Sequence, residues 1–164
     1  MASGDTLLVF TPQCNQPPAT IYATFVNRNV HLLLAFDDAT DEYAYFPGVL
    51  PRNYANGGTT VTIIWLAASA TEGEVVWAVA WERHQDDVTD LDADSFAADQ
   101  TVTATCASAT GEPAYDTIAF TNGAQMDSLA AGESFRLRIY RDANNGDDDM
   151  AGDAQLLRIE IQET

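Results

Sequence analysis

The stretch RDANNGDDDMAGDA, residues 141–154, places five aspartates and two glycines in fourteen residues. Side-chain oxygens at Asp142, Asn144 and Asp148, spaced around Gly146, resemble the start of a calcium loop, in which roughly six to eight oxygens surround one ion. Counted from Asp142, the twelfth position holds Asp153 rather than the longer, bidentate glutamate, and no helical pattern flanks the run. That excludes an EF-hand. The expectation is an acidic turn whose carboxylates stay in water, with a specific calcium site as the second reading. The run DDVTDLDADS (86–95) reads the same way. No metal or cofactor is assigned.

Catalytic material is sparse. His31 lies inside an apolar, strand-like segment, and His84 lies at a strand end beside acids. A Ser-His-Asp set can be assembled on paper, but no G-x-S-x-G, Gly-rich phosphate cradle or zinc spacing occurs. Carboxylates are so numerous that no pair stands out for glycoside hydrolysis. The chain is read as non-enzymatic, with no catalytic or cofactor-binding residue. Cys14 and Cys106 are distant in sequence and neither sits in a C-x-x-C, so they form no disulfide framework; Cys106, in TVTATCA, is expected as a small, buried free thiol. Aromatic rings offer binding chemistry instead. Trp65, Trp77 and Trp81 fall in strong strand patterns, where core or subunit packing is the default. Tyr43, Tyr45 and Tyr54 lie near loops and are the better candidates for a sugar platform.

The charge balance narrows the partners. Against 25 acids stand seven arginines and no lysine, a net charge of −18. Phosphate neutralisation needs clustered cations, so nucleic acid and anionic membranes are not expected partners. No apolar run approaches the roughly 20 residues needed to span a bilayer, and MASGDTLLVF lacks the basic start of a secretion signal. Aspartate outnumbers glutamate 17 to 8, a bias that resembles proteins of salt-loving hosts.

The elements that must carry these residues are short strands. Residues 1–19, with three prolines between 11 and 19, read as an extended N-terminal arm, and 20–164 as a single domain. Strand-like segments follow at 20–26, 30–36, 42–46, 59–67, 73–83, 101–107, 115–121, 134–140 and 156–162. In 134–140, Phe135, Leu137 and Ile139 alternate inward while Arg136, Arg138 and Tyr140 face out. ASATEG reads as a hairpin connection between 59–67 and 73–83, and Asp94 as the N-cap of a helical turn over 94–99. Both faces of 59–67 and 73–83 are apolar, so either the fold or another subunit must cover them. About nine short strands without an amphipathic helix predict an all-β antiparallel sandwich.

FPGVLPRNY, GGTTVTIIW, DLDADSFAADQ and GAQMDSLAAGESFRLRIYRD together resemble small virion structural proteins of tailed bacteriophages. The resemblance covers about two-thirds of the chain and carries over no functional residues. It implies a jelly-roll-like sandwich on the virion, made in the host cytoplasm, with a capsid decoration (cement) protein bound to the major capsid protein as the main reading. A tail-associated carbohydrate- or receptor-binding module is the alternative. A homotrimer burying one face of strands 59–67 and 73–83 is expected, since closed cyclic assembly would cover that face in each subunit.

Overall fold

The computed structural model describes residues 2–164; Met1 lies outside the described residues. Ten strands run in chain order: β1 (Thr6–Phe10), β2 (Thr24–Arg28), β3 (His31–Phe36), β4 (Tyr43–Val49), β5 (Thr59–Ala67), β6 (Glu74–His84), β7 (Gln100–Thr105), β8 (Ala114–Phe120), β9 (Ser134–Arg141) and β10 (Ala154–Glu163). The only helical pieces among the described residues are 3-10 turns at Pro12–Cys14 and Ala124–Met126.

Two antiparallel sheets face each other. The six-stranded sheet has the order β2-β3-β10-β5-β8, and the four-stranded sheet β4-β9-β6-β7. β10 pairs along its length with β5 on one edge. On its other edge β3 takes Ala154–Leu156, and β1 takes Ile159–Gln162. The expected N-terminal arm is thus corrected in part: Thr6–Phe10 is a strand of the domain, with Leu7 and Phe10 in the core. Its register slips between Thr6 and Leu8, which breaks the two-residue alternation that would have announced it. The predicted turn over 94–99 is also absent: this segment carries no helical turn, and its Ala97 N–H donates to the Trp81 carbonyl at 2.8 Å.

The inner faces of both sheets make one core. Trp77 meets Phe36 edge-on at 5.1 Å and Trp65 at 5.8 Å, while Trp81 lies 4.8 Å from Phe135. All three tryptophans are fully buried, as are Phe46, Leu137 and Ile139. Gly48 faces Phe135, where an added Cβ would stand only 2.7 Å from the ring. The segment 68–73 is not a hairpin turn. β5 and β6 belong to opposite sheets, because Val61, Ile63 and Trp65 must pack face to face with Val75, Trp77 and Val79.

The outward faces of these two strands are covered within the chain. Val76, Ala78 and Ala80 are 3%, 0% and 0% exposed. They are short, and taller neighbours on adjacent strands overhang them: Tyr140 beside Ala78, Arg138 beside Ala80. On β5, Ile64 lies between Arg158 and Tyr115 in the same way. The apolar faces from which a subunit interface was inferred are therefore closed by side chains of the same chain.

Candidate functional site

The outer face of the four-stranded sheet carries the densest set of half-exposed aromatic and charged groups. Strand register arranges it in rows, because residues directly opposite one another share a face. One row runs Tyr22, Tyr43, Tyr140, Ala78, Thr101, Tyr22 joining through an isolated parallel bridge to Tyr43. The next holds Tyr45, Arg138 and Ala80, and a third Pro47, Arg136 and Glu82. The alanines of β6 leave room above the sheet. The 91–99 segment folds back there, laying Phe96 and Asp99 over the guanidinium groups.

The groups interlock. Tyr43 and Tyr140 have ring centroids 4.9 Å apart, and Tyr45 and Phe96 5.5 Å at an interplanar angle of 30°. The Arg138 guanidinium stands 4.6 Å from the Phe96 centroid, 5.6 Å from Tyr140 and 5.8 Å from Tyr43. Arg136 stands 5.0 Å from Tyr45 and 5.2 Å from Phe96. Such cation–π contacts hold ring planes at fixed orientations as well as adding attraction. Arg138 Nη2 donates to Asp99 Oδ1 at 2.8 Å, and the Tyr140 hydroxyl donates to Asp99 Oδ2 at 3.2 Å. Arg136 grips Glu82 with two parallel bonds, Nε to Oε2 and Nη2 to Oε1. Glu82 is buried, and this fork satisfies its charge.

The electrostatics follow from these contacts. Burial first, then the Asp99 carboxylate, raises the Tyr140 phenol well above its ordinary value, so it stays a neutral donor. Burial and the nearby Asp41 raise Tyr43 in the same sense. The Glu82 carboxylate raises the Arg136 guanidinium. The face therefore presents fixed ring planes, neutral phenols and charges already paired within the chain. The Tyr43 and Tyr45 hydroxyls have no hydrogen-bond partner among the described residues and remain available to a ligand.

The structure brings Tyr43 and Tyr45 together, as a sugar platform requires, and adds Tyr22, Phe96 and Tyr140. Tyr54 belongs elsewhere: it is buried, and its hydroxyl accepts the Gly58 N–H at 2.9 Å and faces Met126. The tryptophans are core. Cys106 is a buried free thiol, raised above its ordinary value by desolvation, and Cys14 is free and exposed.

His31 is exposed, its Nδ1 3.2 Å from the Arg28 carbonyl. His84 lies between Ser134 Oγ, 3.2 Å from its Nδ1, and Glu82 Oε2, 3.7 Å from its Nε2. The three residue types are those of a nucleophilic triad, but the acid is beyond hydrogen-bond reach of the imidazole and both its oxygens hold Arg136. The geometry does not activate Ser134.

The acidic run that resembled a calcium loop is built around an arginine. Arg141 ends β9 at an inward position and is fully buried. Its Nη2 lies 2.6 Å from Asp148 Oδ1 and its Nε 3.0 Å from Oδ2. Asp148 Oδ2 also accepts the Val76 N–H at 3.0 Å, and Arg141 Nη1 donates to the Gly152 carbonyl at 2.7 Å. No group of three or more His, Cys, Asp or Glu side chains with metal-holding geometry occurs among the described residues.

No protein-family model and no curated protein sequence matches the chain. In three dimensions it is similar to the CBM36-1 domain of a multidomain xylanase from the hindgut metagenome of Trinervitermes trinervoides, with a TM-score of 0.53 and 12% identity over 96% of this chain and 97% of that one. It is similar also to the xylan-binding module CBM15, with a TM-score of 0.50 and 10% identity over 96% and 97% of the two chains. At such identities the likeness establishes the fold: a jelly-roll β-sandwich of the kind found in carbohydrate-binding modules.

Proposed function

We propose that the chain is a carbohydrate-binding β-sandwich whose ligand lies along the outer face of the four-stranded sheet. The observation that carries this reading is the row Tyr22–Tyr43–Tyr140 beside the Tyr45–Phe96 pair, locked by Arg136 and Arg138. Ring faces take the apolar C–H side of a sugar, while the free phenols and the Asp99 carboxylate meet its hydroxyls. Of the two roles that resemblance to virion proteins suggests, this favours the tail-associated carbohydrate- or receptor-binding module over capsid decoration. The decoration reading drew on an apolar strand face awaiting a partner subunit, and that face is covered within the chain.

The named neighbours suggest where to look first. One is a xylan-binding module and the other a domain of a xylanase, so xylan-type oligosaccharides head a panel of neutral and host-surface glycans. Isothermal titration of the intact protein against that panel should find at least one saturable ligand. Tyr43→Ala and Tyr140→Ala should each weaken it by about tenfold or more, the scale of losing an aromatic anchor, with the fold retained by circular dichroism. Unaltered affinity in both variants would remove the site from this face.

A further inference from the structure

Of the seven arginines, four face carboxylates: Arg83 with Glu133, Arg136 with Glu82, Arg138 with Asp99 and Arg141 with Asp148. Arg28, at the end of β2, faces none among the described residues. It is nevertheless held in place. Its Nη1 donates to the carbonyls of Ala67 and Ala68 at 3.1 Å each, and lies 3.2 Å from Gln155 Oε1. Its Nε and Nη2 have no acceptor among the described residues, so one edge of the guanidinium is fixed and unfilled. Gly111 stands over that group; a Cβ there would come within 3.1 Å of Nη2 and 3.6 Å of Nε.

This guanidinium closes one end of a pocket of about 340 Å³ on the outer face of the six-stranded sheet, walled by Leu33, Leu66, Leu157 and Pro113. His31 and Leu157 also line an adjoining hollow of about 230 Å³ that reaches Arg158. The chain carries 25 acids, yet not one lines either hollow. Two arginines and a histidine do.

We infer that this groove is a second ligand site and that it takes a small carboxylate with an apolar body. The Nε–Nη2 edge of an arginine matches the two oxygens of one carboxylate, and the leucine walls would desolvate the remainder of the molecule. A multiply charged anion is disfavoured, because the net charge of −18 opposes it while the pocket beside the leucines holds a single guanidinium, Arg28, Arg158 lying in the adjoining hollow. The pocket faces away from the aromatic rows on the other sheet, and its ligand does not depend on theirs.

The test titrates the intact, isotope-labelled protein with benzoate, benzamide (the same ring without the charge) and acetate (the charge without the ring), followed by NMR. Benzoate should shift the Arg28 Nε–H and the Leu33 and Leu66 methyl signals saturably, and bind about tenfold or more tighter than either control. Asn29→Asp places a carboxylate at the pocket mouth without touching the Nη1 anchor, at a left-handed position (φ 46°) that Asp tolerates. It should weaken benzoate by about tenfold while leaving Tyr43 and Tyr140 signals unmoved. Arg28→Lys keeps the charge but loses the fork, and should weaken binding similarly. Benzamide binding as well as benzoate, benzoate affinity unchanged in Asn29→Asp, or no saturable shift at about 50 mM would each overturn the assignment.

Discussion

Two acid-rich connections, 85–99 between β6 and β7 and 142–153 between β9 and β10, contain six and five aspartates, yet one is closed on a buried ion pair and the other lies across the aromatic face of the four-stranded sheet. The difference is one cation. Arg141 continues the inward parity of Phe135, Leu137 and Ile139, so its guanidinium is carried into the interior and the loop must supply a carboxylate and two carbonyls to it. The 85–99 connection meets no buried cation among the described residues. It is tied near β6 by the Thr89 hydroxyl on the Arg83 carbonyl and, where it rejoins the sheet, by the Ala97 N–H and by Asp99 on partly exposed Arg138. A loop held by its two ends, with no buried ion between them, lays Phe96 on the aromatic rows; a loop closed on a buried ion pair clips strands together.

The largest expected effect breaks the closed loop. Arg141→Met removes one partner of a pair whose side chains are 0% and 1% exposed, and leaves Asp148 charged and uncompensated. The expected cost is about 3–5 kcal/mol, or a fall in Tm of about 6–20 °C for a chain of this size. Thermal and urea unfolding measure it. A loss under about 1 kcal/mol, the range of an exposed pair, would mean that both acidic loops are equally open.

The open loop should answer in the reverse sense, with little stability lost and much binding. Phe96→Ala removes one half-buried ring contact and should cost the fold about 1 kcal/mol. It also frees Arg136 and Arg138 from the ring that orients them, so affinity for the oligosaccharide found on the panel should fall about tenfold. If stability drops as far as in Arg141→Met while binding holds, Phe96 is a core residue and the platform lies elsewhere.

This contrast also marks how far the sequence could be read. The sandwich was legible, because its strands alternate where one face is wet: β9 announced Arg136, Arg138 and Tyr140 outward and kept that promise. Tyr43 and Tyr45 were singled out for lying near loops, and the structure places both on the outer face of the four-stranded sheet, whereas Tyr54, chosen on the same ground, is buried. Phe96 and Asp99 were not, since the segment holding them has no period and takes its position from a long-range hydrogen bond to Trp81. Tyr22 joins through a single bridge outside any regular strand. Arg141 had one signal, its inward parity, but a charge at the mouth of an acidic run reads first as surface. Val76, Ala78 and Ala80 suggested a missing subunit because sequence shows apolarity and not height; short side chains beside tall ones are covered by them.

The smallest effect concerns the rim of the closed loop, where acids crowd without a full share of cation. Burial, then Asp37 and Asp38, raises the Asp153 carboxyl above its ordinary 3.8, and Arg141 only partly offsets this. Burial likewise raises Glu42, which faces Asp37 and Asp153. A carboxyl raised in the folded state binds its proton more tightly folded than unfolded. Its favourable contribution is therefore complete below the unfolded value and is lost as pH rises through the raised one. At neutral pH the charged Asp153 thus opposes folding. Asp153→Asn, uncharged and of the same shape, should stabilise the protein at pH 7 by about 0.5 kcal/mol. That advantage should fade as pH falls through the raised pKa toward 3.8, where the native carboxyl is itself neutral. Glu133 runs the other way: Arg83 lowers its pKa, so its contribution is present above the unfolded value and is lost as pH falls through the lowered one. Urea unfolding of both chains across that range separates the two. An Asp153→Asn advantage that persists unchanged into acid would show that the gain comes from the amide's own hydrogen bonds and that the charge at the loop rim is already screened by solvent.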